Sequence, residues 1–183
     1  ELVFTLTVTF LSPVEANDIQ KLSIPLSNIF VHAQSSDGKA YAVSLYFDIS
    51  GEWAHGDSNA LINWENTLVP HAQGSGDLST FTVTPNSPNT LSEVNDYPSW
   101  GTVVWATDNQ SNLSIQSGQD VVVRSGFVSQ GKLNNTMDTN MPRAINDRWP
   151  VFAFCVDLVL IQDSPASRAR STAWMRSVTC NLL

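Results

Sequence analysis

Phe4-Thr5-Leu6-Thr7-Val8-Thr9-Phe10 is the stretch on which the fold class turns. Apolar residues at 4, 6, 8 and 10 alternate with threonine, and a period of two is that of a strand with one buried face. Ser12-Pro13 ends it. The same arithmetic predicts a strand over Phe30–Gln34, a turn at Ser36-Asp37-Gly38-Lys39, and a strand over Tyr41–Ile49 with Val43, Leu45, Phe47 and Ile49 on one face. Two strands flanking an Asp-Gly turn predict a hairpin. Further strands are predicted over Ala60–Trp64, Thr80–Thr84, Gly101–Thr107, Asp120–Ser129 and Trp149–Ile161, with loops over 85–99 and 130–147. No apolar pattern of helical period is sustained anywhere. The chain therefore reads as all-β, an antiparallel β-sandwich of about 8 to 10 strands. In the strand after Trp149-Pro150, Val151/Ala153/Cys155 and Phe152/Phe154/Val156 make both faces apolar, as in a strand covered on two sides.

At 183 residues the chain has the length of one domain. Only 14% of residues are charged; Ser, Thr and Asn, 51 residues together, supply the polarity instead, which suits an extracellular β protein. The net charge of −8 makes nucleic acid a poor partner, because affinity there rests on Lys and Arg neutralising phosphates. An anionic membrane surface is disfavoured for the same reason. The longest apolar run, Val151–Ile161, is broken by Asp157 and falls short of the ~20 residues of a spanning helix. Glu1 leads at once into strand-like sequence, which reads as a mature product or a fragment.

The charge is uneven. Residues 1–163 carry 6 basic and 17 acidic groups, whereas residues 164–183 carry Arg168, Arg170 and Arg176 and no acid. The expected division is a sandwich over 1–163 and an irregular, weakly ordered basic tail over 164–183. Cys155, in a buried strand, and Cys180, in that tail, are not expected to pair.

Candidates for chemistry are sparse. No nucleophile elbow, phosphate loop or dinucleotide fingerprint occurs. His32, His55 and His71 lack metal-ligand spacing, and Asp138, Asn140 and Asp147 fail the calcium-loop spacing because Pro142 takes the third ligand slot. No metal and no cofactor is expected. Asp48, Glu52, Asp57 and Glu65 could pair as acid and base, but Asp48 and Glu52 flank a Ser50-Gly51 turn and read as solvated. Trp53 and Trp64, at strand ends, are candidate glycan contacts, since indole faces stack on sugar rings; Trp105, mid-strand, reads as core. Asn109, Asn112 and Asn134 each open an Asn-x-Ser/Thr glycosylation sequence.

The most distinctive stretch is Arg143-Ala144-Ile145-Asn146-Asp147-Arg148-Trp149-Pro150-Val151-Phe152. It resembles the signature of the N-terminal domain of fungal secreted glutaminases of the glutaminase A type. Val8-Thr9-Phe10-Leu11-Ser12-Pro13-Val14-Glu15, Ser44-Leu45-Tyr46-Phe47-Asp48-Ile49-Ser50-Gly51-Glu52-Trp53, Gly56-Asp57, Trp100-Gly101-Thr102 and Val122-Val123-Arg124-Ser125 resemble the same domain, in order, over about residues 2–160. The resemblance implies a β-sandwich placed before a larger helical domain, in secreted or wall-associated proteins that hydrolyse L-glutamine to L-glutamate and ammonia. The helical catalytic domain, or a partner chain, would be this chain's partner, and its absence implies an uncovered apolar face and self-association. Whether the chain acts as an enzyme by itself stays open; an accessory domain without catalysis of its own, or a glycan- or protein-binding sandwich module, are the two readings. Arg143, Asn146, Asp147, Arg148 and Trp149 are expected either to pin the loop into the buried strand, through an Arg143–Asp147 pair, or to meet the helical domain.

Overall fold

The computed structural model describes residues 4–23, 25–70, 76–161 and 173–180. Its elements run β1 (Phe4–Leu11), α1 (Ile19–Leu22), β2 (Leu26–Ser35), β3 (Tyr41–Ser50), a 3-10 turn (Gly51–Ala54), β4 (Leu61–Pro70) and β5 (Asp77–Pro85). There follow β6 (Glu93–Val94), β7 (Tyr97–Pro98), β8 (Thr102–Asp108), β9 (Leu113–Gln119), α2 (Asp120–Gln130), β10 (Arg143–Ala144), β11 (Pro150–Ile161) and β12 (Ala173–Cys180). A seven-stranded sheet, ordered β1-β2-β12-β8-β5-β4-β10, packs on a three-stranded one, β3-β11-β9, and β6 and β7 form a small ribbon. Every strand pair within these sheets is antiparallel. The chain is thus an all-β sandwich.

The core lies between the two large sheets. Val31 and Ala33 of β2, Ile62 and Trp64 of β4, Phe81 and Val83 of β5, and Val103 and Trp105 of β8 meet Leu45 and Ile49 of β3 and Phe152, Phe154 and Val156 of β11. Phe81 sits between Phe152 and Phe154, with ring centroids 5.6 and 5.2 Å away. Fully burying each such ring contributes about 1.5–3 kcal/mol. The odd residues of β11, Val151, Ala153 and Cys155, point the other way and pack under α2 and its following loop, against Val123, Leu133, Tyr46 and Phe127. The two-sided burial expected of this strand is therefore met by a sheet on one side and a helix on the other.

Three local expectations are corrected. Asp120–Ser129, with its run of valines, reads as a strand but folds as α2. Val123 and Phe127, four residues apart, are its inward side, and Gly131 closes it in the left-handed conformation (φ 69°) with its N–H bonded to the Phe127 carbonyl. Covering β11 decides the matter over the β propensity of valine. The Asp37-Gly38 turn is real but joins no hairpin: β2 pairs with β1 and β12, whereas β3 pairs with β11 in the other sheet. Both strands carry an apolar face, and each buries it only if the chain crosses between sheets at the turn. Finally, the stretch expected as an irregular tail contains β12, which lies between β2 and β8. Neither alternate set of β12 is uniformly apolar in sequence, so backbone pairing along both edges, not a hydrophobic stripe, places it. The side chain of Cys180, and all of His71, Arg168 and Arg170, lie outside what is described; Cys155 is a free, buried thiol.

Candidate functional site

The signature loop connects β10 to β11 and is fixed chiefly through its backbone. Arg143 and Ala144 pair with Ile62 and Leu61 of β4. Beyond them, the Ile145 N–H donates to the Ala60 carbonyl (3.2 Å) and the Asn146 N–H to the Ser58 carbonyl (2.9 Å). The Asn146 side chain donates to Asn59 Oδ1 (2.9 Å). Asn59 is itself held by Asp57, whose Oδ1 accepts from both the backbone and the side-chain nitrogen of Asn59 at 2.9 Å. Those bonds, the backbone one first, hold the Asp57 carboxyl below its ordinary pKa. Asp57 N–H donates in turn to His55 Nδ1 (3.0 Å), and Asn95 reaches the Gly56 carbonyl (2.8 Å). Gly56 is required here, since a Cβ on it would lie 1.9 Å from the Val94 carbonyl oxygen.

Arg143 does not pair with Asp147. Its side chain is only 3% exposed, and its Nη1 donates to Asp138 Oδ2 at 2.6 Å. The guanidinium lies over the Trp64 ring, 5.1 Å from the centroid, and the Trp64 indole N–H donates to the Asp138 carbonyl (2.8 Å). Among the described residues, Nε and Nη2 of Arg143 have no partner, an unusual state for buried donors. Asp138 wins over Asp147 on direction. In the extended segment entering β10 the Arg143 side chain turns inward, whereas Asp147 sits on the exposed turn beyond. Asp147 instead pairs with its neighbour Arg148 at 3.1 Å, both about half exposed.

Arg148 and Trp149 have left-handed backbones, φ 64° and 40°. For residues with a Cβ such conformations cost on the order of 1–3 kcal/mol and persist only where the surroundings fix them. Here β11 begins at once with buried Pro150 and Val151, and the Asp120 N–H at the head of α2 bonds the Trp149 carbonyl (3.2 Å). The result is an indole held outward, 41% exposed. The register Ser50↔Val151 brings the 3-10 turn alongside, with Trp53 51% exposed. Leu61 on β4, and Val121 and Val122 at the start of α2, are exposed at strand and helix ends that meet this loop. The outward groups of this end offer an apolar, aromatic surface edged by Asp147 and Arg148.

The other sequence candidates fall elsewhere. Trp64 is buried beneath Arg143 and against Phe152, so its face is not open to a sugar. Trp105 is core, as expected. Asp48 is not solvated: it accepts a two-pronged bond from Arg124 of α2 (2.8 and 3.1 Å) and one from the Tyr46 hydroxyl (2.6 Å). Burial and that bond push the Tyr46 phenol up, and the Asp48 carboxylate raises Arg124. This tie, which fastens α2 to β3, has no signal in the sequence beyond two opposite charges 76 residues apart. Asp138 was legible only as an oxygen donor; its role is to hold Arg143. Asn109 and Asn134 are exposed, while Asn112 is half-buried.

A family model described as a domain of unknown function, DUF5127, matches residues 3–180, past residue 160, about where the resemblance stated above ends. Glutaminase A of Aspergillus oryzae is 41% identical over 157 residues, which are 86% of this chain and 22% of that protein. A protein of Arthroderma benhamiae named "Probable glutaminase" is 27% identical over 150 residues, 81% of this chain and 16% of that protein. The chain thus spans about a fifth of the length of these relatives.

Proposed function

The chain belongs to the DUF5127 family, and from that premise we propose that it serves as the accessory β-sandwich domain of a secreted, glutaminase-A-like protein. On this reading the reaction, hydrolysis of L-glutamine to L-glutamate and ammonia, belongs to the remainder of the longer polypeptide. The sandwich docks against that remainder through its signature end. The observation that carries the reading is the outward, strained presentation of Arg148 and Trp149 beside Trp53, in a domain that matches only 22% of Glutaminase A. Strained backbone of this kind clusters at functional positions. Aromatic residues and Arg are the side chains that anchor interfaces.

A chimera tests this, with the chain in place of the matched region of the Aspergillus oryzae relative. Ammonia release from L-glutamine is expected from the chimera and not from the chain alone. Trp149→Ala in the chimera is expected to weaken the junction, lowering the thermal midpoint of the chimera more than that of the isolated chain. Ammonia release by the purified chain alone contradicts the accessory role. The alternative, a glycan-binding module, retains Trp53 but loses Trp64; titration with oligosaccharides, read by tryptophan quenching and its loss in Trp53→Ala, decides it.

A further inference from the structure

We propose that Asn109 and Asn134 are sites of N-linked glycosylation and that Asn112, although it also heads an Asn-x-Ser sequence, is not. The proposal rests on the secretory route of the reading above. Asn109, Gln110 and Ser111 are all exposed on the turn from β8 to β9. The Asn109 backbone N–H anchors the turn to the Asp77 carbonyl (2.8 Å), which leaves the side-chain amide unengaged among the described residues. Asn134 is built the same way. Its backbone N–H donates to Gln116 Oε1 (3.1 Å), and its neighbour Asn135 accepts from the Ile115 N–H (2.8 Å), so the loop is fixed without the Asn134 amide. Asn134, Asn135 and Thr136 are exposed.

Asn112 is committed. Its Nδ2 donates to the Asp157 carbonyl at 2.7 Å, and its own carbonyl accepts from the Asp157 N–H at 3.1 Å, closing the end of β9 onto β11. The hydroxyl of its sequence, Ser114, accepts from the Leu133 N–H (3.1 Å). A sugar on Nδ2 would stand against the β11 carbonyl. Asn112 also follows Asn109 by only three residues on the same turn, less than the ~10 Å that three residues span when extended, so an oligosaccharide on the first crowds the second.

The modification is a group transfer from a polyprenyl-diphosphate-linked oligosaccharide, catalysed by the host's transferase. The amide nitrogen attacks the anomeric carbon. The carbon–oxygen bond to the diphosphate breaks, the diphosphate departs with the polyprenol, and the nitrogen loses one proton. The placement also has a consequence for docking. β9 pairs Gln119 with Pro150 at the signature end and Leu113 with Val156 at the other. Six residues of strand, roughly 20 Å, therefore separate Leu113 from the signature loop. Asn109 lies beyond Leu113, so a glycan there leaves Trp149 uncovered.

The test is expression of the full chain behind a supplied secretory leader in yeast, with medium and cell lysate both analysed. Peptide-N-glycosidase in heavy-oxygen water converts each glycosylated Asn to a mass-labelled Asp, located by peptide mass spectrometry. Label is expected at 109 and 134. At 112 it should fall well below the label at either of the other two. N109Q and N134Q should each remove one glycan from the intact mass, and N112Q none. Absence of label at 109 or at 134, or label at 112 equal to theirs, overturns the proposal. Because the leader is supplied, these outcomes report the sites. Label with the leader but none on protein from the native source would refute the secretory route and leave the site assignment standing.

Discussion

Arg143 and Asp147 lie four residues apart in one loop, yet their surroundings assign them opposite weights. Arg143 is buried over Trp64 with Asp138 as its one charged partner among the described residues. Removing one member of such a buried pair strands the other charge, at a cost of about 3–5 kcal/mol. Asp138→Ala should therefore lower unfolding stability by that order in urea titration. Asp147→Ala breaks only a half-exposed pair and should cost ~0–1 kcal/mol. Equal losses for the two would refute this assignment. The sequence singled out the right loop but the wrong partner, because linear spacing carries no information on which side chains turn inward. Cys155, by contrast, was legible: burial raises its thiol to about 11, so little thiolate exists at neutral pH. Iodoacetamide at pH 8 should leave Cys155 unmodified in the native protein and alkylate it in urea; rapid native labelling would show that the strand opens.

Among the elements, the strands with a clean period of two were legible, and what they pair with was not. The Asp37 turn shows why. Its chemistry is local: Asp37 accepts from the Lys39 N–H (3.1 Å), the Tyr41 hydroxyl (2.9 Å) and the Ser35 hydroxyl (3.1 Å). The sheet each flanking strand joins is settled by distant partners. Those bonds, the Lys39 N–H foremost, lower the Asp37 carboxyl to about 2 from 3.8. A carboxyl depressed on folding contributes stability that is full above its unfolded value and is lost as pH falls through the folded one. The difference in thermal midpoint between the wild type and Asp37→Asn should accordingly be largest above pH 4 and shrink toward pH 2; a constant difference would show the turn does not depend on that charge. β9 and β12 escaped notice, and α2 was read as a strand, for a common reason: none presents a uniform apolar face in sequence, and each is held by what it covers or pairs with. Gly56 is an element-scale constraint as well. Gly56→Ala has to push the β6–β7 ribbon away from the 3-10 turn, and should lower the thermal midpoint by several degrees; an unchanged midpoint would mean the ribbon yields freely.

At the scale of the molecule, the two sheets differ in width, and the surplus is exposed. β1 lies at the edge of the seven-stranded sheet, and Leu6, Val8 and Phe10, the residues whose alternation first marked a buried face, are 44%, 40% and 74% exposed. Apolar edge strands template association. The isolated chain should self-associate with rising concentration in sedimentation velocity, and Phe10→Lys should suppress it; a monomer at every concentration would contradict that expectation. The signature end is the second uncovered surface, and on this account the longer protein covers it. Hydrogen exchange measures that cover directly, by following peptides spanning residues 143–149 in the isolated chain and in the chimera with the Aspergillus oryzae relative. The account predicts slower exchange at this loop and around Trp53 in the chimera, with little change at the far end of β9. Identical uptake in the two proteins would contradict it.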